Sequence, residues 1–206
     1  ITANAGSFRG ITFDGRYIYY IPGGSATLTT ALRYDTTKPF DLNLSWLDFN
    51  ILKVDVNAKS FRGSVFDGRY VYFIPNTSAT SGLTVRYDTY LPFDQNGSYQ
   101  SMDLQGVDSW ANGFFGGAFD GRYVYYTPHR ADIGGGSRKY ARYDTTKAFD
   151  QNAAWEVKDS AHIPSGGTTG LAAGAIFDGK YVYFTYALGS SPVPMVRYNT
   201  TKPFTD

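Results

Sequence analysis

A chain of 206 residues with a formal charge of only +1 offers no broad basic field for nucleic acid, and no run of Lys or Arg interleaves with its aromatics. The lack of cysteine removes disulfides, thiol catalysis and thiolate metal sites; no apolar run approaches the roughly 20 residues of a membrane helix, and no signal-peptide pattern opens the chain. With 18 Tyr, 15 Phe, 23 Gly and one glutamate, Glu156, the composition favours sheets joined by turns, and no window carries a sustained helical apolar stripe.

In chain order, Gly10 to Phe13 is short and apolar, Asp14-Gly15 has the chemistry of a two-residue hairpin turn, and Arg16 to Ile21 is a β-rich run stopped by Pro22. A loop at Gly23 to Ala26 leads to a third predicted strand, Leu28 to Asp35. The turn formers of Asp35 to Asp41 lead to a fourth, Leu44 to Leu52. The plan then repeats through Phe61 to Pro75, Leu83 to Asp88 and Tyr99 to Leu104, and again through Phe114 to Pro128, Tyr140 to Asp144 and Trp155 to Lys158. A last unit has Gly174 to Tyr186 and Met195 to Asn199 and ends about eleven residues short of a full repeat.

Three landmarks hold the units in register. The first is Phe13 to Tyr20 with its copies at Phe66, Phe119 and Phe177; the second is Arg33-Tyr34-Asp35 with copies at Arg86, Arg142 and Arg197; the third is Phe40, Phe93, Phe149 and Phe204. Successive Asp-Gly pairs are 53, 53 and 58 residues apart. Four antiparallel strands in about fifty residues describe one blade of a β-propeller. The expected fold is therefore all-β, a single propeller domain over 1–206 with repeats near 1–53, 54–106, 107–165 and 166–206, the last blade lacking its outer strand. Gly10, Gly63, Gly116 with Gly117, and Gly174 place the first strand of each unit innermost, beside a crowded axis.

The phrase running through Phe66-Asp67-Gly68-Arg69-Tyr70-Val71-Tyr72-Phe73 and on to Arg86-Tyr87-Asp88 resembles bacterial-type β-propeller repeat proteins of unassigned function, and the resemblance covers nearly the whole chain. It implies no catalytic residue and no ligand. A weaker similarity runs to kelch and hemopexin-like blades; the hemopexin class has four blades, but its usual end-tying disulfide has no counterpart in this cysteine-free chain.

Asp14, Asp67, Asp120 and Asp178, followed by Arg16, Arg69, Arg122 and Lys180, resemble acid–base pairs. Four equal copies cannot supply the differentiated pair that catalysis needs, so each Asp is read as a turn acceptor with local pairing of its basic neighbour. Arg33, Arg86, Arg142 and Arg197 are read as guanidinium bridges between blades. Asp35/Asp41, Asp88/Asp94 and Asp144/Asp150 lack the alternating oxygen ligands of a calcium loop, so neither metal nor cofactor is expected. The unrepeated aspartates, Asp55, Asp103, Asp108, Asp132 and Asp159, show no spacing of a glycosidase pair. Asn43, Asn76, Asn96 and Asn199 begin acceptor triplets that matter only in a secreted eukaryotic protein.

Differences between copies carry more information. The third unit inserts a loop with His129, Arg130, Asp132 and Arg138, the only dense unrepeated polar cluster; Trp110 stands in the connection before the third unit. Arg9 and Arg62, replaced later by Phe115 and Ala173, open their innermost strands and would line the channel mouth. The expectation is a non-catalytic, lectin-like or adhesive module, extracellular or at a cell surface, whose partner is a carbohydrate or a protein surface. Nucleic acid and a membrane span are not expected. The alternative is a structural protein that self-associates through the open edge of its last blade, and a glycoside-acting enzyme ranks below both.

Overall fold

The computed structural model describes residues 5–23, 27–76, 82–128, 139–159, 172–186 and 196–204. Fifteen strands among them form four antiparallel sheets in strict chain order. The first sheet holds β1 (Phe8–Phe13), β2 (Tyr17–Pro22), β3 (Thr30–Asp35) and β4 (Trp46–Asn50). The second holds β5 (Phe61–Phe66), β6 (Tyr70–Pro75), β7 (Leu83–Asp88) and β8 (Tyr99–Asp103). The third is β9 (Phe114–Phe119), β10 (Tyr123–Pro128), β11 (Lys139–Asp144) and β12 (Trp155–Asp159), and the fourth β13 (Ala172–Phe177), β14 (Tyr181–Tyr186) and β15 (Val196–Asn199).

The first hairpin turn sits one residue later than the sequence suggests. Asp14 is not in the positive-φ region; Gly15 is, at φ 105°, and the Asp14 amide bonds to the Tyr17 carbonyl, so the two loop residues are Gly15 and Arg16. Glycine at the first central position is the pattern of a type II′ turn, whose twist suits the flanking strands. The predicted fourth strand, Leu44 to Leu52, is also shorter than expected: Asn43–Ser45 and Ile51–Lys53 are single 3₁₀ turns on either side of β4. The Asn50 side chain accepts from the Leu52 amide and ends the strand there.

The first strands of successive sheets lie side by side, β1 against β5, β5 against β9, and β9 against β13. A methyl group added to Gly63 would sit 2.6 Å from the Phe115 carbonyl oxygen and 3.0 Å from the Gly116 Cα, which is why this strand tolerates no larger residue there. Aromatic and β-branched residues of facing sheets fill the spaces between. Tyr19, Ile21, Phe49 and Ile51 of the first sheet pack with Phe73, Tyr87 and Tyr99 of the second, and equivalent clusters join the second sheet to the third and the third to the fourth. Among the described residues no comparable contact joins β13 to β1. The described residues thus form an all-β series of four antiparallel sheets packed in chain order, without showing closure into a ring. No helix among the described residues is long and apolar enough to cross a membrane.

Candidate functional site

Antiparallel order divides every sheet into two ends. At one, the Asp-Gly turns join the first two strands and, in the three four-stranded sheets, a longer connection joins the third to the fourth; at the other, the second strand ends, the third begins, and from those three sheets the chain passes to the next.

At the turn end the repeated polar groups satisfy one another. Asp14 Oδ1 accepts from the amides of Arg16 and Tyr17 at 2.8 and 2.6 Å, while its Oδ2 accepts from the Tyr19 hydroxyl at 2.6 Å. Asp67 with Tyr72, Asp120 with Tyr125, and Asp178 with Tyr183 repeat the arrangement. Burial, then the bond to the carboxylate, raises the Tyr19 hydroxyl far above the ordinary phenol range, so it stays a donor. The Arg16 side chain does not pair with its neighbour Asp14. It reaches Asp35 at 2.8 Å, as Arg69 reaches Asp88 and Arg122 reaches Asp144. Arg16, with Thr37 assisting, holds the Asp35 carboxyl well below its usual range, and Arg122 lowers Asp144 to about 2. At Asp88, burial is the largest influence and opposes ionisation, but the bond from Arg69, the Tyr90 amide and the nearby positive charges together outweigh it and lower the carboxyl.

The second set of arginines crosses between sheets. Arg33 lies over its own sheet's Tyr17 at 4.2 Å and the next sheet's Phe93 at 5.3 Å, and its Nη1 donates to the Tyr87 hydroxyl at 3.2 Å. Arg86 repeats this with Tyr70, Phe149 and Tyr143, and Arg142 with Tyr123, Phe204 and Tyr198. The sheet-to-sheet partner is a tyrosine hydroxyl between two rings; the carboxamide of Gln100 and the carboxylate of Glu156, which also hold Arg86 and Arg142, lie within their own sheets. Arg197 lies over Tyr181 at 4.2 Å, with no second ring over it among the described residues.

The loop end carries what does not repeat. Arg9 and Arg62 are each the extra residue of a β-bulge where the first strand starts, a device that re-aims a side chain. Arg9 is exposed; Arg62 lies over Phe115, at the corresponding bulge of the third sheet, at 4.5 Å, and donates to Asn76 Oδ1 at 3.4 Å. In the connection from second to third sheet, Asp108 Oδ1 accepts from the Trp110 amide at 2.8 Å, Ala111 N bonds to the Asp108 carbonyl, and the indole of Trp110 stands 57% exposed. The preceding connection has the same hydrogen bonds, from Asn57 to Asp55 and from Ala58 to Asp55, but presents Asn57 where Trp110 stands.

Sequence reading missed the group beside it. Lys139 Nζ lies 3.3 Å from Asp108 Oδ2 and 3.6 Å from Asp159 Oδ2, bringing two carboxylates to one ammonium that the first two units lack. Lys139 and Asp159 face each other across β11 and β12, where the first sheet has Thr30 opposite Asn50 and the second Leu83 opposite Asp103. That unit-by-unit substitution was the available signal. Asp103 is committed elsewhere, to the Gln105 amide. His129, Arg130, Asp132 and Arg138 lie outside the described residues. Among the described residues no three of His, Asp or Glu gather as metal ligands. No protein-family model and no curated protein matches the chain.

Proposed function

We propose that this chain is a non-catalytic binding module, a β-propeller-type array of blades whose loop end receives a carbohydrate. The observation that carries the reading is the exchange of Asn57 for Trp110 on an unchanged loop backbone. A rigid, repeated scaffold bearing a different exposed side chain is how a fold varies recognition without altering itself. An exposed indole offers a flat apolar face for a sugar ring, and the Asp108–Lys139–Asp159 group supplies acceptors and a donor for hydroxyls near the same connection.

A glycan array probed with the labelled chain, followed by titration of the best ligand, tests this. Trp110→Ala is expected to weaken binding at least about tenfold, or about 1.4 kcal/mol. Absence of binding across the array, or binding indifferent to Trp110, overturns it.

A further inference from the structure

The three sheet-to-sheet junctions use one set of partners, and the two outermost faces display the separated halves of a fourth. At each junction a Tyr of one sheet meets a Tyr and a Phe of the next: Tyr19 with Tyr87 and Phe93 at 5.7 and 6.0 Å, Tyr72 with Tyr143 and Phe149, both at 6.0 Å, and Tyr125 with Tyr198 and Phe204 at 5.9 and 6.0 Å. The crossing arginine locks the pair. The donating half of this set on the fourth sheet is Tyr183 and Arg197; the receiving half on the first sheet is Tyr34 and Phe40.

Both halves are present, with Tyr34 buried and Tyr183 half-buried but Phe40 and Arg197 uncovered. Phe40 is 63% exposed, whereas its counterparts Phe93 and Phe149 are fully buried and Phe204 is 9% exposed. The Tyr34 hydroxyl donates to the Lys38 carbonyl at 2.8 Å as Tyr87 donates to Leu91 at 2.7 Å, but among the described residues no guanidinium donates to Tyr34 as Arg33 does to Tyr87. Arg197 is exposed, with one ring over it among the described residues where Arg33, Arg86 and Arg142 have two or more.

The first strands agree. Thr12 of β1 hydrogen-bonds to Ser64 of β5, and Ala118 of β9 packs in one cluster with Ala175 of β13. Continuing that register pairs Ile176 of one terminal face with Ile11 of the other, and these are 67% and 63% exposed. The isoleucines are bulkier than the interior pairs, so the strands at this junction stand farther apart than β1 and β5.

We propose that the fourth sheet of one copy docks face to face on the first sheet of a second copy, Arg197 entering between Tyr181 of its own sheet and Phe40 of the other copy and donating to the hydroxyl of Tyr34 there. The occupant is a second copy because the receiving face repeats the partners already used inside the chain. The contact is between sheet faces, unlike the strand-edge pairing expected from sequence. It is heterologous, each copy using different surfaces at its two ends, so it closes a ring or continues as a filament according to its rotation.

Sedimentation of the 206-residue chain across a concentration series tests the proposal. Self-association is expected, weakened at least about tenfold by Phe40→Ala and likewise by Arg197→Ala, since buried Arg and aromatic residues dominate such contacts. Both positions are exposed, so near-ultraviolet circular dichroism should show an unchanged fold. The decisive arm mixes the two variants. Phe40→Ala retains an intact fourth sheet and Arg197→Ala an intact first sheet, so the mixture forms one-to-one dimers that grow no further. A wild-type chain that stays monomeric up to its solubility limit, variants that assemble like wild type, or a mixture that fails to pair would each overturn it.

Discussion

The two ends of the sheets obey different rules. At the turn end Asp14, Asp67, Asp120 and Asp178 make the same three bonds in every unit, and in the first three units Arg16, Arg69 and Arg122 pair with Asp35, Asp88 and Asp144. At the loop end the backbone hydrogen bonds persist while the side chains change, from Asn57 to Trp110 and from Thr30 or Leu83 to Lys139. The contrast teaches that repetition here marks mechanical need. A group retained in four copies is held by the geometry of its turn or junction, and a group present once is released from that duty.

The largest expected effect tests the mechanical half. Arg86 is buried, held by Gln100 and the Tyr143 hydroxyl and lying between Tyr70 and Phe149. Arg86→Ala removes the donor to the Tyr143 hydroxyl, which keeps its own bond to the Lys147 carbonyl, and opens a void between two sheets, a loss of roughly 2–4 kcal/mol. Its copy Arg197 is exposed, so Arg197→Ala in the monomer should cost less than about 0.5 kcal/mol. Denaturant melts of the two variants, at a concentration where the chain is monomeric, give the comparison. Equal losses would show that the sandwich contributes nothing beyond the local strand.

An intermediate effect comes from acid. Arg122 and Thr146 lower the Asp144 carboxyl to about 2, against about 3.9 for an unfolded aspartate. A folded-state pKa below the unfolded one adds stability that is fully present above about pH 4 and is lost as the pH falls toward 2. Because Arg122 is half exposed, the pair is worth on the order of 1–2 kcal/mol at neutral pH. Asp144→Asn should lower the melting temperature by several degrees at pH 7 and by much less at pH 2, where about half the folded chains already carry a protonated carboxyl. The fourth sheet already has Asn199 at this position, with Lys180 in place of the arginine, so the corresponding change there has no charge to remove. A difference between Asp144→Asn and wild type that persists unchanged at pH 2 would assign the loss to packing.

Much of the turn end was legible because its residue types have single uses. Asp before Gly announces a turn, although the side-chain acceptor role of Asp14 shifted the loop onto Gly15 and Arg16. Glycines marked the crowded first strands because no other residue fits where Gly63 meets Phe115 and Gly116. The Arg16–Asp35 pairing was not legible. It joins residues 19 apart, and the nearer Asp14 was the obvious partner until the turn amides and Tyr19 were seen to occupy it. Lys139 with Asp159 depended on strand register, which no local pattern encodes. Closure depends on the angle between successive sheets, a sum of many small contacts with no residue type of its own.

The smallest expected effect on stability bears most directly on function. Trp110→Asn places at the second connection the residue already tolerated at the first, where Asn57 sits on the same aspartate-anchored loop. Because the indole is mostly exposed and the loop is held through backbone groups and the Asp108 carboxylate, the change should leave unfolding free energy within about 0.5 kcal/mol of wild type. It should nonetheless remove the sugar binding proposed above, since an asparagine offers no ring face. A loss of stability beyond about 1 kcal/mol would make Trp110 a packing residue of the connection. It would also leave the loop end as mechanical as the turn end. Intact stability with lost binding separates the two ends by experiment, as the hydrogen bonds separate them by geometry.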